Sequence, residues 1–217
     1  MKYLFALSAG YLLSFSFLNY LPNVYNDQNL AGGLFVLFGF IAQIILEFFT
    51  DGIGHGHEIQ TKTPDRKTHL VPFLSLLLMF SIEGYVVGLN FFTSPSLSHF
   101  IKDIQIALVY GLILYHLPVF LSIHRNNLLS FNSNKFNTIK FISYFTALPF
   151  GVFVSYLFCD IFKLNHTLAM TQFLVGMLLN NSTLILFESS SDHKINTLKL
   201  ISVFTGVLLS IFVFEFQ

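Results

Sequence analysis

The chain has 217 residues, of which 54% are hydrophobic and 10% are charged, and its formal net charge is zero. This charge balance excludes nucleic acid as an obvious partner, and the single cysteine, Cys159, excludes a disulfide framework within the chain. A soluble domain of this size could not bury so much apolar surface, so the composition predicts an integral membrane protein whose first partner is the lipid bilayer.

Apolar runs of membrane-spanning length follow one another along the whole chain. A spanning helix needs roughly 20 mainly apolar residues, and backbone in lipid must satisfy its own hydrogen bonds, which favours helices. The runs cover Tyr3–Leu21, Ala31–Thr50, Leu70–Phe92, Asp103–Ile123, Ile139–Phe158, Leu168–Phe187 and Leu198–Phe216. We therefore predict an all-α fold, a polytopic bundle of seven transmembrane helices that forms one domain over residues 1–217.

The basic residues predict the orientation of this bundle, because Lys and Arg are enriched in cytoplasmic loops. One set of loops and flanks holds Lys2, Lys62, Arg66, Lys67, Arg125, Lys135, Lys140, Lys194 and Lys199, whereas the other set holds only Lys102 and Lys163. We predict a cytoplasmic N-terminus, an outer C-terminus and a cytoplasmic loop at residues 51–69. The expected location is a bacterial inner membrane.

Polar side chains within the predicted helices are candidate functional positions, because ionisable groups are costly in lipid. In chain order they are Asn19 in the first helix, Gln43 and Glu47 in the second, Glu83 in the third, His116 in the fourth, and Gln172, Asn180, Asn181 and Glu188 in the sixth. Glu83 and His116 lie near mid-span on consecutive helices, so we predict that their side chains are in contact.

A Glu–His pair at this depth has three interpretations. Carboxylate and imidazole are good ligands for zinc or iron, and the same pair suits a proton relay. A structural pair that only joins two helices is the third interpretation. For a metal, the sulfur of Met79 and the hydroxyl of Tyr115 are the further candidate ligands. Glu47 and Glu188 lie near helix ends, where contact with water is an equal alternative.

The loop at residues 51–69 carries a second candidate metal site. His55, His57 and Glu58 lie close together on a glycine-containing segment. Two imidazoles and a carboxylate on such backbone chelate metal weakly and with little specificity. We therefore expect this loop to receive or sense metal rather than to form part of the path.

Several motifs resemble the ZIP (Zrt/Irt-like) metal-ion transporters. Ser8–Pro22 resembles the second helix of that family, Leu78–Gly84 its metal-site helix, Tyr115–Val119 the partner motif, Ala147–Gly151 the next helix, and Leu186–Glu188 the glutamate of the penultimate helix. The histidine-containing loop also has a counterpart in the family. The resemblance implies the ZIP fold without the first of its eight helices.

Most positions that bind metal in the family differ in this chain. Met79 stands where the family has histidine, Asn19 where the first motif has histidine, and Tyr115 at the leading position of the partner motif. Glu83 is retained, and His116 occupies the second position of the partner motif. The candidate metal residues are thus Glu83, His116, Met79, Tyr115, Asn19, Glu47, Glu188, His55 and His57, which allow one remodelled site rather than a two-metal centre.

The first functional hypothesis is a carrier that moves a divalent cation, zinc or iron, toward the cytoplasm without a cofactor. The alternative is a non-transporting protein on a ZIP scaffold that senses metal or binds a partner. A homodimer is left open. An enzyme is not expected, because the chain has no nucleophile constellation and no H-E-x-x-H motif.

Overall fold

A computed structural model describes residues 2–22, 30–50, 70–93, 99–125, 134–158, 164–188 and 197–215, and every residue in these ranges is helical. The helices are α1 (Lys2–Ser14, continuing as a π-helical turn over Phe15–Tyr20), α2 (Leu30–Thr50), α3 (Leu70–Thr93), α4 (His99–Arg125), α5 (Asn134–Phe158), α6 (Leu164–Glu188) and α7 (Thr197–Glu215). The all-α prediction is confirmed, and each helix contains most of one predicted run.

Four of these helices are long and apolar enough to cross a membrane. Their apolar segments are Leu30–Phe49 in α2, Phe73–Phe92 in α3, His166–Phe187 in α6 and Thr197–Glu215 in α7. Shorter apolar segments cover Gln105–Leu121 in α4 and Ile142–Phe158 in α5. These lengths and compositions agree with a helical membrane bundle.

Close helix crossings at glycine organise the bundle into pairs. The most extensive contacts join α1 with α7, α2 with α6 and α3 with α5. Each crossing has a glycine on both helices, and a methyl group there would overlap a backbone carbonyl of the partner helix. The three glycine pairs are Gly10 with Gly206, Gly39 with Gly176, and Gly84 with Gly151. Small residues that let backbones approach are the usual packing device of membrane helices.

The buried core lies where α1, α3, α4 and α6 meet. Tyr11, Phe15, Phe80, Leu108 and Leu174 are among its fully or almost fully buried side chains. Large apolar side chains are exposed on the outer faces, most of all on α2 and α7. This distribution suits a bundle whose exterior contacts lipid and whose centre holds the polar groups described below.

The π-helical turn at the end of α1 was not predicted from the sequence. It covers Phe15–Tyr20 and packs against α4, α6 and α7. Asn19 lies within it and is buried. Such turns insert an extra residue into the helical ladder and often occur at functional positions.

Candidate functional site

Glu83 of α3 and His116 of α4 form a buried pair at the centre of the bundle. The Nε2 atom of His116 lies 2.9 Å from Oε2 of Glu83, and the two residues are 5% and 0% exposed. The Nδ1 atom of His116 lies 2.8 Å from the carbonyl oxygen of Leu112, one turn earlier in α4. The predicted contact between Glu83 and His116 is therefore confirmed.

The geometry places a proton on one nitrogen of His116. A carbonyl oxygen can only accept, so Nδ1 of His116 donates its proton to Leu112. Nε2 and Oε2 of Glu83 are 2.9 Å apart, although neither atom has a hydrogen-bond partner of good geometry among the described residues. A protonated imidazole beside a carboxylate would be neutral as a pair, which reduces the cost of burial. A metal ion bound there would require Nε2 to be unprotonated.

Apolar groups enclose the pair. The ring of Phe80 lies 4.6 Å from the ring of His116, measured between centroids, and Tyr115 packs edge-on at 5.4 Å. A cavity of about 370 Å³ between α3, α4 and α5 borders the other side of His116, with Phe120 and Leu148 among its apolar walls. The two ligand-type atoms thus lie in a region of low polarity, where electrostatic interactions are strong.

A second buried contact lies one turn away from Glu83. The Nε2 atom of Gln43, on α2, lies 3.3 Å from the sulfur of Met79 and 2.6 Å from Oδ1 of Asn181 on α6. All three residues are fully or almost fully buried. Because the sulfur can only accept, the N–H side of the Gln43 amide must face Met79. Gln43 Oε1 has no hydrogen-bond partner within the described part of the chain.

Tyr115 lies close to the pair and to Glu47. Its side chain is fully buried, and Glu83 and Glu47 are both near its hydroxyl group. That hydroxyl has no hydrogen-bond partner among the residues that the structure describes. Glu47, half-buried on α2, therefore belongs to the same neighbourhood.

We call this set of residues the polar core. It comprises Gln43 and Glu47 of α2, Met79 and Glu83 of α3, Tyr115 and His116 of α4, and Asn181 of α6. Gln43 and Asn181 were noted in the sequence as polar but not as candidate ligands. Their signal is a carboxamide in an otherwise apolar helix, and for Gln43 also its position one turn before Glu47.

A neutral hydrogen-bonded group, the end cluster, lies where α3 ends and α4 and α6 begin. Asn90 Nδ2 donates to Thr171 Oγ1 at 2.9 Å, and Gln105 Nε2 lies 3.5 Å from Asn90 Oδ1. Tyr20, in the π-helical turn beside Asn19, contacts Thr171. Asn19 thus sits next to a residue of the end cluster. The sequence did not predict this cluster, because single amides and hydroxyls near helix ends are common.

The remaining sequence-predicted ligands are not placed in the polar core. Glu188 is the last residue of α6, and its side chain lies outside the described residues, as do His55 and His57. Within the described ranges, no group of three or more His, Cys, Asp or Glu side chains could hold a metal ion. Any metal held beside Glu83 and His116 would therefore need donors of other types.

Comparison with known proteins adds no relative. The chain matches no protein-family model, no curated protein and no solved structure. The resemblance to ZIP transporters therefore depends on the motifs in the chain itself.

Proposed function

We propose that the protein is a ZIP-type membrane carrier for a divalent cation, zinc or iron, which moves toward the cytoplasm. The observation that carries this proposal is the buried contact between Glu83 and His116. A carboxylate and an imidazole are rarely placed together in an apolar bundle unless they handle an ion or a proton. The motifs around both residues are those that suggested the family.

The polar groups follow one face of α3, which supports a path. Asn90, Glu83 and Met79 are seven and four residues apart, so they lie on nearly the same side of the helix and span about 16 Å. The end cluster is at one limit of this row, and Gln43 and Glu47 are at the other. In the proposed carrier all seven helices cross the membrane, and access alternates between the two limits.

Basic residues support the proposed orientation. Lys199, at the start of α7, donates to the carbonyl of Leu186 near the end of α6 at 2.7 Å, and its charge interacts with that of Lys2. These two lysines therefore share one end of the bundle, where a cation favourably contacts the last carbonyls of a helix. Under the positive-inside rule this end is cytoplasmic, and we place the loop at residues 51–69 there as a metal receiver.

The second candidate function is a non-transporting protein that retains a ZIP scaffold. It is favoured by the small number of ionisable ligands, since the described residues contain no cluster of three, whereas zinc usually takes four ligands. In that case the pair would join α3 to α4, and metal chemistry would be confined to His55 and His57.

Metal uptake into proteoliposomes separates the two functions. The protein should take up Zn²⁺ or Fe²⁺, and Glu83→Gln, which keeps the shape but removes the anionic ligand, should abolish uptake. Glu215→Gln is the matched control, because Glu215 is exposed at the end of α7. A wild-type protein that takes up neither zinc, iron, manganese nor cobalt would contradict the carrier proposal.

A further inference from the structure

The Glu83–His116 pair supplies two ligands, and the structure points to a third that neither the motifs nor the charges suggested. We propose that Gln43 is a metal ligand and a determinant of ion specificity, and that Asn181 is the residue that positions it. This inference rests on the proposed metal chemistry of the pair and adds the identity of the site's neutral oxygen donor.

The Met79 sulfur determines the orientation of the Gln43 side chain. The Gln43 N–H group contacts this sulfur at 3.3 Å and Oδ1 of Asn181 at 2.6 Å. Turning the Gln43 amide over would place its oxygen against the sulfur, which cannot donate to it. The Oε1 atom is thus held away from Met79 and Asn181, buried and without a hydrogen-bond partner among the described residues. A buried acceptor of this kind costs free energy unless a cation or donor uses it.

The amide lies within reach of the pair. Met79 and Glu83 are one turn apart on the same face of α3, a rise of about 6 Å, and the Gln43 side chain contacts the first of them. While the N–H group of Gln43 stays on Met79, Oε1 is the buried acceptor of this amide that is left without a hydrogen-bond partner in the described part of the chain. Tyr115 extends into the same region, since Glu83 and Glu47 are both near its hydroxyl.

These donors favour one class of cation. One imidazole nitrogen, one carboxylate and one amide oxygen suit borderline or hard divalent ions such as Zn²⁺, Fe²⁺, Co²⁺ and Mn²⁺. The thioether of Met79 would favour softer ions, but it already accepts an N–H group from Gln43. Gln43 therefore contributes to specificity twice, by offering an oxygen and by occupying the sulfur.

The test compares Gln43→Leu with Gln43→Glu in the full chain, purified in detergent, with Co²⁺ and Cd²⁺ as probes. Gln43→Leu should weaken Co²⁺ binding by about tenfold or more, in the range seen for residues that support metal sites. It should also shift the Co²⁺/Cd²⁺ affinity ratio toward the softer Cd²⁺, because the Met79 sulfur is freed. Gln43→Glu replaces the neutral amide oxygen with an anionic one and should bind Co²⁺ more tightly than wild type.

Asn181→Leu should change the affinity ratio in the same direction as Gln43→Leu, but less. Ser8→Ala is the control, because it removes a buried hydroxyl of α1 outside both the polar core and the row on α3, and it should leave the ratio unchanged. An unchanged ratio and Co²⁺ affinity in Gln43→Leu would overturn this inference and leave the carrier proposal intact. If Gln43→Leu does not fold, unchanged Co²⁺ affinity in Gln43→Glu overturns it instead.

Metal binding and metal uptake, both measured on the wild-type protein, distinguish this inference from the proposed function. Metal binding without uptake would leave the Gln43 site standing and overturn the carrier. Wild-type protein that binds neither Co²⁺ nor Cd²⁺ would overturn both.

Discussion

Glu83 and His116 are ionisable side chains that are buried in the apolar interior of the bundle. Each would be costly alone in an apolar interior, and their mutual contact offsets part of that cost. A pair of this kind is weak evidence for stability, because two apolar side chains of similar volume often pack as well. Its presence is better explained by the chemistry that the two groups can perform.

A mutant series tests whether the pair serves stability. Glu83→Ala should destabilise the protein by about 3–5 kcal/mol, because His116 is left buried without its partner. The double variant Glu83→Leu, His116→Phe should recover most of that loss and still lack metal uptake. Thermal unfolding in detergent measures the first effect and proteoliposome uptake the second. A double variant no more stable than Glu83→Ala would indicate a structural pair instead.

Met79 offers a gain-of-function test at the same scale. It lies one turn from Glu83 and stands where the resembling family has histidine. Residues four apart on a helix present their side chains to one ligand, so Met79→His should add an imidazole to the pair. We expect zinc affinity to rise by about tenfold or more, measured by competition with a fluorescent chelator. Met177→His, also buried but on α6, is the control.

At the scale of elements, the glycine crossings connect packing to the site. Gly84 follows Glu83 directly and lies against the carbonyl of Leu148 on α5. The crossing of α3 and α5 therefore fixes the position from which the carboxylate extends. Helix spacing and ligand geometry depend on the same residue.

Gly84→Ala should consequently harm both stability and uptake. The added methyl group overlaps backbone that cannot move by itself, so α3 and α5 must separate, at a cost of about 1–3 kcal/mol or more. Gly111→Ala is the matched control, since its methyl group would meet side-chain atoms, of Leu12 at 2.8 Å and of Tyr11 at 3.0 Å, rather than backbone. Thermal unfolding and uptake should both change more for Gly84→Ala. Equal effects would show that the crossing is not limiting.

At the scale of the whole molecule, the two ends of the bundle carry different polar groups. Lys2 and Lys199 mark one end, and the uncharged end cluster around Asn90 marks the other. In the proposed carrier these two ends face different solutions.

Cysteine labelling tests the orientation directly. In a Cys159→Ser background, Thr63→Cys should react with a membrane-impermeant maleimide only after the cell membrane is opened, because the loop at residues 51–69 is expected to be cytoplasmic. Labelling of Thr63→Cys in intact cells would reverse the proposed topology.

The sequence predicted the positions of the helices better than the contacts between them. The seven apolar runs match the seven helices of the described residues to within a few residues, and the predicted depth in the membrane was enough to pair Glu83 with His116. Spacing along the chain does not report which way a helix is rotated against a distant one. The contact of Gln43 with Asn181, 138 positions away, and the π-helical turn at Phe15–Tyr20 therefore could not be foreseen.

The nested pairing of the helices has a consequence for how the protein is made. The α3–α5 pair can close first, α2–α6 next and α1–α7 last, because each outer pair encloses the inner ones along the chain. At 5–20 residues per second, α1 would wait roughly 10–40 s for its partner to emerge from the ribosome. During that interval the face of α1 around Gly10, which the carbonyl of Val203 on α7 covers in the finished bundle, is exposed to lipid or to the insertion machinery. Nascent chains halted before α7 should therefore be preferred substrates of membrane quality-control proteases.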